Sequence, residues 1–130
     1  MQRGKDSILT EGGLVITPGS TKNAADIPWN AHPTFPGVYL KNLVTGADTG
    51  GALSCHLVRV DPGSQLKHHV HERQWELHEV VSGQGTANMD GQTTTYLPGV
   101  VVVIPKGKPH DVTAGNDGLY LFAKFFPALV

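Results

Sequence analysis

A single cysteine, Cys55, among 130 residues excludes an intrachain disulfide framework. It lies in a strand-like apolar run and reads as core filler, so a reducing compartment, by default the cytoplasm, is the expected location. No apolar run approaches the roughly 18 residues that cross a bilayer, and the opening MQRGKDSILTEGG lacks the long apolar stretch of a secretory signal. Neither sign of charge dominates. Ten basic residues face 11 acidic ones, without a long block of either, which offers nothing to nucleic acid or to a membrane surface. Helical periodicity, internal repeats and low-complexity tracts are also missing. The length suits one domain with a real core and is too short for two ordinary ones.

What the chain has is turns: 16 glycines and nine prolines separate short runs rich in Val, Leu and Thr, and the whole leans all-β. Residues 1–13 read as a polar, loosely held arm. Leu14–Thr17 reads as a short strand stopped by Pro18-Gly19, and STKNAADIPWNAHPTFPG after it keeps no period. Trp29 and Phe35 in that stretch are expected to pin it as a packed loop or a subunit contact, with His32 on the surface. Residues 38–44 form a strand and 45–51 a loop. From Ala52 onward, strands are expected at 52–61, 66–71, 76–81, 86–89, 92–96, 100–104, 111–114 and 119–126, with Asp90-Gly91 as a hairpin turn and Asn116-Asp117-Gly118 as another. Closely spaced strands of this kind close most easily as a small barrel or a two-sheet roll, which removes exposed edges. The division that follows is an arm with an extra strand over 1–51 and a barrel over 52–130. The β-branched run Val100 to Ile104 is expected to be covered on both faces.

The chemistry concentrates in HHVHERQWELHEVVSG. His69 and His71 are two apart on a strand and return to the same face. Glu76 joins them if the polar bend Glu72-Arg73-Gln74 turns the chain back, and His110, after a hydrophobic strand and the turn Pro105-Lys106-Gly107, is the natural fourth ligand. Three imidazoles and a carboxylate suit Fe(II), Mn(II), Ni(II), Co(II) or Zn(II) and suit Ca(II) or Mg(II) poorly. A six-coordinate cation would keep two positions for water, substrate or oxygen. A cation that only stabilises the barrel is the plainer alternative.

These residues resemble both motifs of the cupin superfamily. Gly63, His69, His71, Glu76 and Gly83 match every position of the first; Gly99, Pro105, Gly107 and His110 match the second, where Ala114 replaces the usual asparagine. The resemblance covers about residues 52–126. It implies a double-stranded β-helix, or jelly-roll barrel, metal ligation by His69, His71, Glu76 and His110, and a homodimer. It implies much less about reaction, because the fold is similar across oxygenases, isomerases, decarboxylases, lyases, sugar-binding modules and seed-storage proteins.

Around the ligands, His78 shares the face of Glu76 and is the candidate catalytic residue, as a proton shuttle, with orientation of Glu76 as its rival role. His56 has an ambiguous face and is a candidate pocket residue, whereas His68 faces away from its neighbours. Lys67 is expected at the barrel mouth, Arg73 in solvent, and Trp75 as packing behind Glu76 or a dimer contact. Tyr96, Tyr120, Phe122 and Phe125 are expected in the core or at an interface, with one or two walling a pocket. The leading expectation is a metal-dependent enzyme performing an oxygenase-type reaction on a small polar organic substrate. The alternatives are an isomerase or lyase of a sugar or keto acid, and a binding module without turnover.

Overall fold

The computed structural model describes residues 12–130, so the expected arm lies almost wholly outside the described residues. The first elements are a hairpin of β1 (Leu14–Thr17) and β2 (Ser20–Asn23), which turns at Pro18-Gly19. The sequence predicted the first strand and missed the second, whose four residues are all exposed and carry no apolar alternation. A 3-10 turn over Ala24–Asp26 follows, opened by the Asn23 side chain accepting from the Ala25 amide at 2.9 Å. Next come the two-residue β3 (Asn30–Ala31) and β4 (Val38–Val44). The expected loop over 45–51 contains one helical turn, α1 (Gly46–Thr49). There the Thr45 amide donates to the Asp48 carboxylate at 2.9 Å, a local bond that a loop reading does not weigh.

The remaining strands are β5 (Ser54–Val60), β6 (Gln65–His69), β7 (Trp75–Met89), β8 (Gln92–Tyr96), β9 (Val101–Ile104) and β10 (His110–Phe126). All pair antiparallel. Strands β7 and β10 run beside each other over nearly their full lengths. Along its later half β10 also pairs with β5, and along its earlier half with β6; β7 likewise pairs first with β9 and then with β8. Two long strands thus pass from one sheet into the other, giving a two-sheet roll in which β4 extends the first sheet from β5.

Two pairs of strands expected to be separate are therefore single strands, and glycine explains both. Register shifts between Ala114 and Leu119 opposite Gly85 and Gly83, so the Asn116-Asp117-Gly118 turn is a bulge within β10. A β-carbon on Gly83 would sit 2.1 Å from the Gly118 carbonyl oxygen, so the chains cross there only because Gly83 has no side chain.

Val58, Val60, Val80, Tyr96, Val112, Leu119 and Leu121 fill the interior between the sheets. A second cluster, Ala24, Leu43 and Leu57 with Trp29, Ile27 and Phe122 against it, packs the N-terminal segment onto the outer face of β4 and β5. Lys41 is buried in that layer, its ammonium donating to the Ala24 carbonyl at 2.8 Å and lying 5.2 Å from the centre of the Trp29 ring. Trp29 and Phe35 are thus packed within the chain. The expectation of a doubly covered β9 is corrected: Val101 and Val103 are 56% and 53% exposed. Strand β9 has a partner only in β7, and its outward face meets no other element among the described residues; branched side chains there serve the extended backbone rather than burial.

Candidate metal centre

The ladder between β6 and β10 sets His110 directly opposite His69, and the Gly107 amide donates to the His71 carbonyl at 2.8 Å, clamping the turn before β10 onto the turn after β6. Two stretches about 40 residues apart are thereby brought to one rim. One ring nitrogen from each of His69, His71 and His110 lies within 4.8 Å of the other two, which makes a three-histidine cluster able to hold a metal ion. Glu76, buried on β7, brings Oε1 to 3.2 Å from His110 Nε2 and 3.7 Å from His71 Nε2.

The donor set fits a cation. His69 Nδ1 donates to the Lys67 carbonyl at 2.6 Å and His110 Nδ1 to the Lys108 carbonyl at 2.9 Å, so in the neutral ring the proton sits on Nδ1 and Nε2 is the nitrogen left for a cation. Burial, helped by the neighbouring imidazoles, pushes His69 down to about 4, and burial lowers His71 as well, so both are neutral near pH 7. Burial also pushes His110 down, but the Glu76 carboxylate and the Lys108 carbonyl outweigh it and the net direction is up. Burial alone would raise Glu76; His78 and His110 reverse that and hold it ionised. The 3.2 Å approach of His110 to Glu76 is poorly directed, and His110 Nε2 and Glu76 Oε1 are buried without a hydrogen-bond partner. Two unsatisfied buried donor atoms aimed at one region are what a bound cation would satisfy.

His78 is fully buried behind Glu76. Its Nε2 lies 2.6 Å from Glu76 Oε2 and its Nδ1 2.9 Å from the Tyr96 hydroxyl. Burial and the nearby Glu76 carboxylate raise Tyr96 well beyond the phenol range, so it remains a donor. The chain of bonds is directional: Tyr96 O–H donates to Nδ1, and Nε2–H donates to the carboxylate.

A cavity of about 130 Å³ opens onto this centre. His69, His71, Glu76 and His78 contribute to it, together with His56 and Asn42 on β5 and β4. His56 therefore faces inward with Val58, which settles the face left ambiguous by the alternation of β5. Its Nδ1 lies 2.8 Å from Asn42 Oδ1 and its Nε2 2.8 Å from Ser54 Oγ, which in turn accepts from the Leu129 amide at 2.9 Å. Burial pushes His56 down to about 4. His68 and Lys67 are exposed, as is Arg73; Trp75 is 46% exposed beside Glu76.

Four contributors were not legible in the sequence. His32, expected on the surface, lines the cavity, its ring stacked on Phe35 at 4.6 Å and its Nδ1 accepting from the Thr34 and Phe35 amides. Asn42 and the tail residues Leu129 and Val130 also line it. Period-two alternation would have put Asn42 on the face of Leu40, but nothing in the sequence aligns β4 with β5. A larger open hollow of about 590 Å³ at Pro62, Ser82 to Gln84, Leu97, Asn116 and Asp117 contains none of these groups.

Among solved structures, KdgF from Halomonas sp. is 23% identical with a TM-score of 0.69, over 79% of this chain and 90% of its own. A predicted oxalate decarboxylase from Thermotoga maritima is 22% identical with a TM-score of 0.71, over 79% and 95%. An RmlC-like cupin from Shewanella frigidimarina NCIMB 400 is 20% identical with a TM-score of 0.70, over 81% and 87%. At these identities the likeness is one of fold. No curated protein matches the chain. The family profile described as "Cupin domain" matches residues 56–122, from His56 on β5 to Phe122 on β10, just over half of the sequence and including all four candidate ligands. The chain belongs to the cupin domain family.

Proposed function

We propose that this cupin is a metal-dependent enzyme whose His69, His71, His110 and Glu76 hold one divalent transition ion, and whose small organic substrate binds that ion directly for an oxygenase-type reaction. The observation that carries the reading is the convergence of ring nitrogens from His69, His71 and His110 beside a buried Glu76 with an unsatisfied oxygen, on the wall of one cavity. A bound ion of this class supplies Lewis acidity and open coordination positions. The chain's own residues supply the rest: Lys67 and Lys108 carbonyls orient two imidazoles, His78 fixes the outer oxygen of Glu76, and Leu66 and Phe125 give the cavity an apolar wall beside them. A homodimer belongs to the same reading, with exposed Trp75, Val101, Val103 and Phe126 as the apolar material for it.

The test is metal analysis of protein purified without added metal, followed by a substrate screen with and without oxygen. About one transition ion per chain is expected, falling to a small residue in His69→Ala and His110→Ala. Full occupancy in those variants would remove the ligand assignment. Product formed only with oxygen consumption supports the oxygenase; product without it moves the reading to an isomerase or lyase, and tight ligand binding without product under every metal leaves a binding module.

A further inference from the structure

We infer that the cavity selects a ligand whose body, away from the metal-binding end, is compact, uncharged and mainly apolar, and that Asn42 is the specificity residue that meets a neutral oxygen on that body. The inference rests on the metal reading above and adds the class of ligand.

Three observations converge. First, among the described residues no lysine or arginine lines the cavity. A second carboxylate or a phosphate on the ligand, once its first anionic group is on the cation, would find no cationic side chain in that wall to pair with. Second, the wall away from the histidines is Leu40, Val58, Leu66, Ala123, Phe125 and Leu129. That lining repays burial of methyl or ring carbon and gives nothing back to the many hydroxyls of a sugar. Third, the polar side chains on that wall are already committed. With His56 held neutral by burial, its single ring proton is the one donated from Nδ1 to Asn42 Oδ1, so Nε2 accepts from the Ser54 hydroxyl, and Ser54 Oγ accepts from Leu129 N–H. The network runs from the C-terminal tail to Asn42 and ends with the Asn42 amide nitrogen, which has no acceptor among the described residues and is a donor left for a ligand; the other is Nε2–H of His32, whose Nδ1 accepts from the Thr34 and Phe35 amides.

Size limits the body further. An engineered apolar cavity of about 150 Å³ admits benzene, and the lined part of this one, at about 130 Å³, is of the size that surrounds about one six-membered ring.

Hydroxamic acids test this because each brings the same two-oxygen head and a different body. Cobalt(II)-loaded protein at pH 7 is titrated with acetohydroxamate, isobutyrohydroxamate, succinic monohydroxamate and 4-oxopentanohydroxamate, and binding is read from the visible cobalt spectrum. Isobutyrohydroxamate is expected to bind about fifteenfold tighter than acetohydroxamate, from two buried methyl groups at roughly fourfold each. Succinic monohydroxamate, with a carboxylate at the far end, is expected at least tenfold weaker than the isobutyryl compound. Asn42→Ala, and Asn42→Asp, which keeps the acceptor for His56 and removes the donor, are expected to weaken the 4-oxo compound about fivefold or more while shifting the isobutyryl compound less than twofold. Equal or tighter binding of the succinic compound overturns the uncharged-body inference, and equal losses for both ligands in the two variants overturn the role of Asn42. Protein that takes up no cobalt overturns the metal reading and this inference with it, an outcome visible before any ligand is added.

Discussion

At the scale of single residues, His78 is the one whose role the geometry constrains most. Both ring nitrogens are used, one by Glu76 and one by Tyr96, so moving a substrate proton through His78 requires one of those bonds to open first. As a residue that orients Glu76, His78 should govern metal affinity: His78→Ala is expected to weaken metal binding about 10- to 100-fold, measured by competition with a chromophoric chelator. Unchanged affinity with lost turnover would return His78 to proton transfer. Tyr96→Phe removes the donor to Nδ1 in a fully buried place and should cost about 1–3 kcal/mol of stability, read as a lower urea midpoint. His56 gives a pH signature. Its folded value near 4 lies below the unfolded 6.5, so its contribution is fully present above pH 6.5. As pH falls from there the unfolded chain takes a proton that the folded chain refuses, and stability declines until about pH 4. The upper bound on that loss is about 3 kcal/mol. Metal-free His56→Gln should therefore show a shallower fall in melting temperature than the parent between pH 6.5 and 4; parallel curves would mean that His56 is charged in the folded protein.

Among the elements, the crossing of β7 and β10 separates what glycine does by torsion from what it does by space. Gly99 has a positive φ of 90° and open space where a β-carbon would point, whereas Gly83 combines a φ of 81° with the Gly118 carbonyl in the way. Gly99→Ala should cost about 1 kcal/mol, the torsional penalty alone. Gly83→Ala should cost at least twice that, because two paired backbones must separate. Equal urea midpoints for the two variants would contradict the close crossing. The same elements mark the limits of reading from sequence. The Asp90-Gly91 hairpin and the placement of strands from residue 54 onward were legible, since turn residues interrupt apolar alternation there. The continuity of β7 and β10 was not, because Gly83, Gly85 and Gly118 are punctuation in the sequence and close contact in the fold. The exposure of Val101 and Val103 was equally hidden: a run of β-branched residues specifies an extended backbone, and only the topology says that β9 lies outside.

For the whole molecule, the legible part of the site was its candidate ligands and the illegible part its walls. His69, His71, Glu76 and His110 declare themselves by spacing because two short turns carry them. His32, Asn42 and Leu129 reach the same cavity through β3–β4 packing, strand register and a tail held by Ser54 and α1, and none of these leaves a local pattern. That division has a consequence for stability. The three imidazoles come from the end of β6, the turn beyond it and the start of β10, where the β6–β10 register is irregular. A cation held there would join segments that the unfolded chain does not hold together, so its binding energy adds to folding. At a free metal concentration about 100 times the dissociation constant the gain is about 2.7 kcal/mol, which for a chain of this size corresponds to a rise in melting temperature of roughly 10 °C. Chelator treatment should remove the whole of that rise, and His110→Ala, which loses the ligand opposite His69, should melt at one temperature whether metal is present or not. A parent protein whose melting point ignores both metal and chelator would show that the rim is already closed by protein contacts alone, and the cluster would then owe the fold nothing.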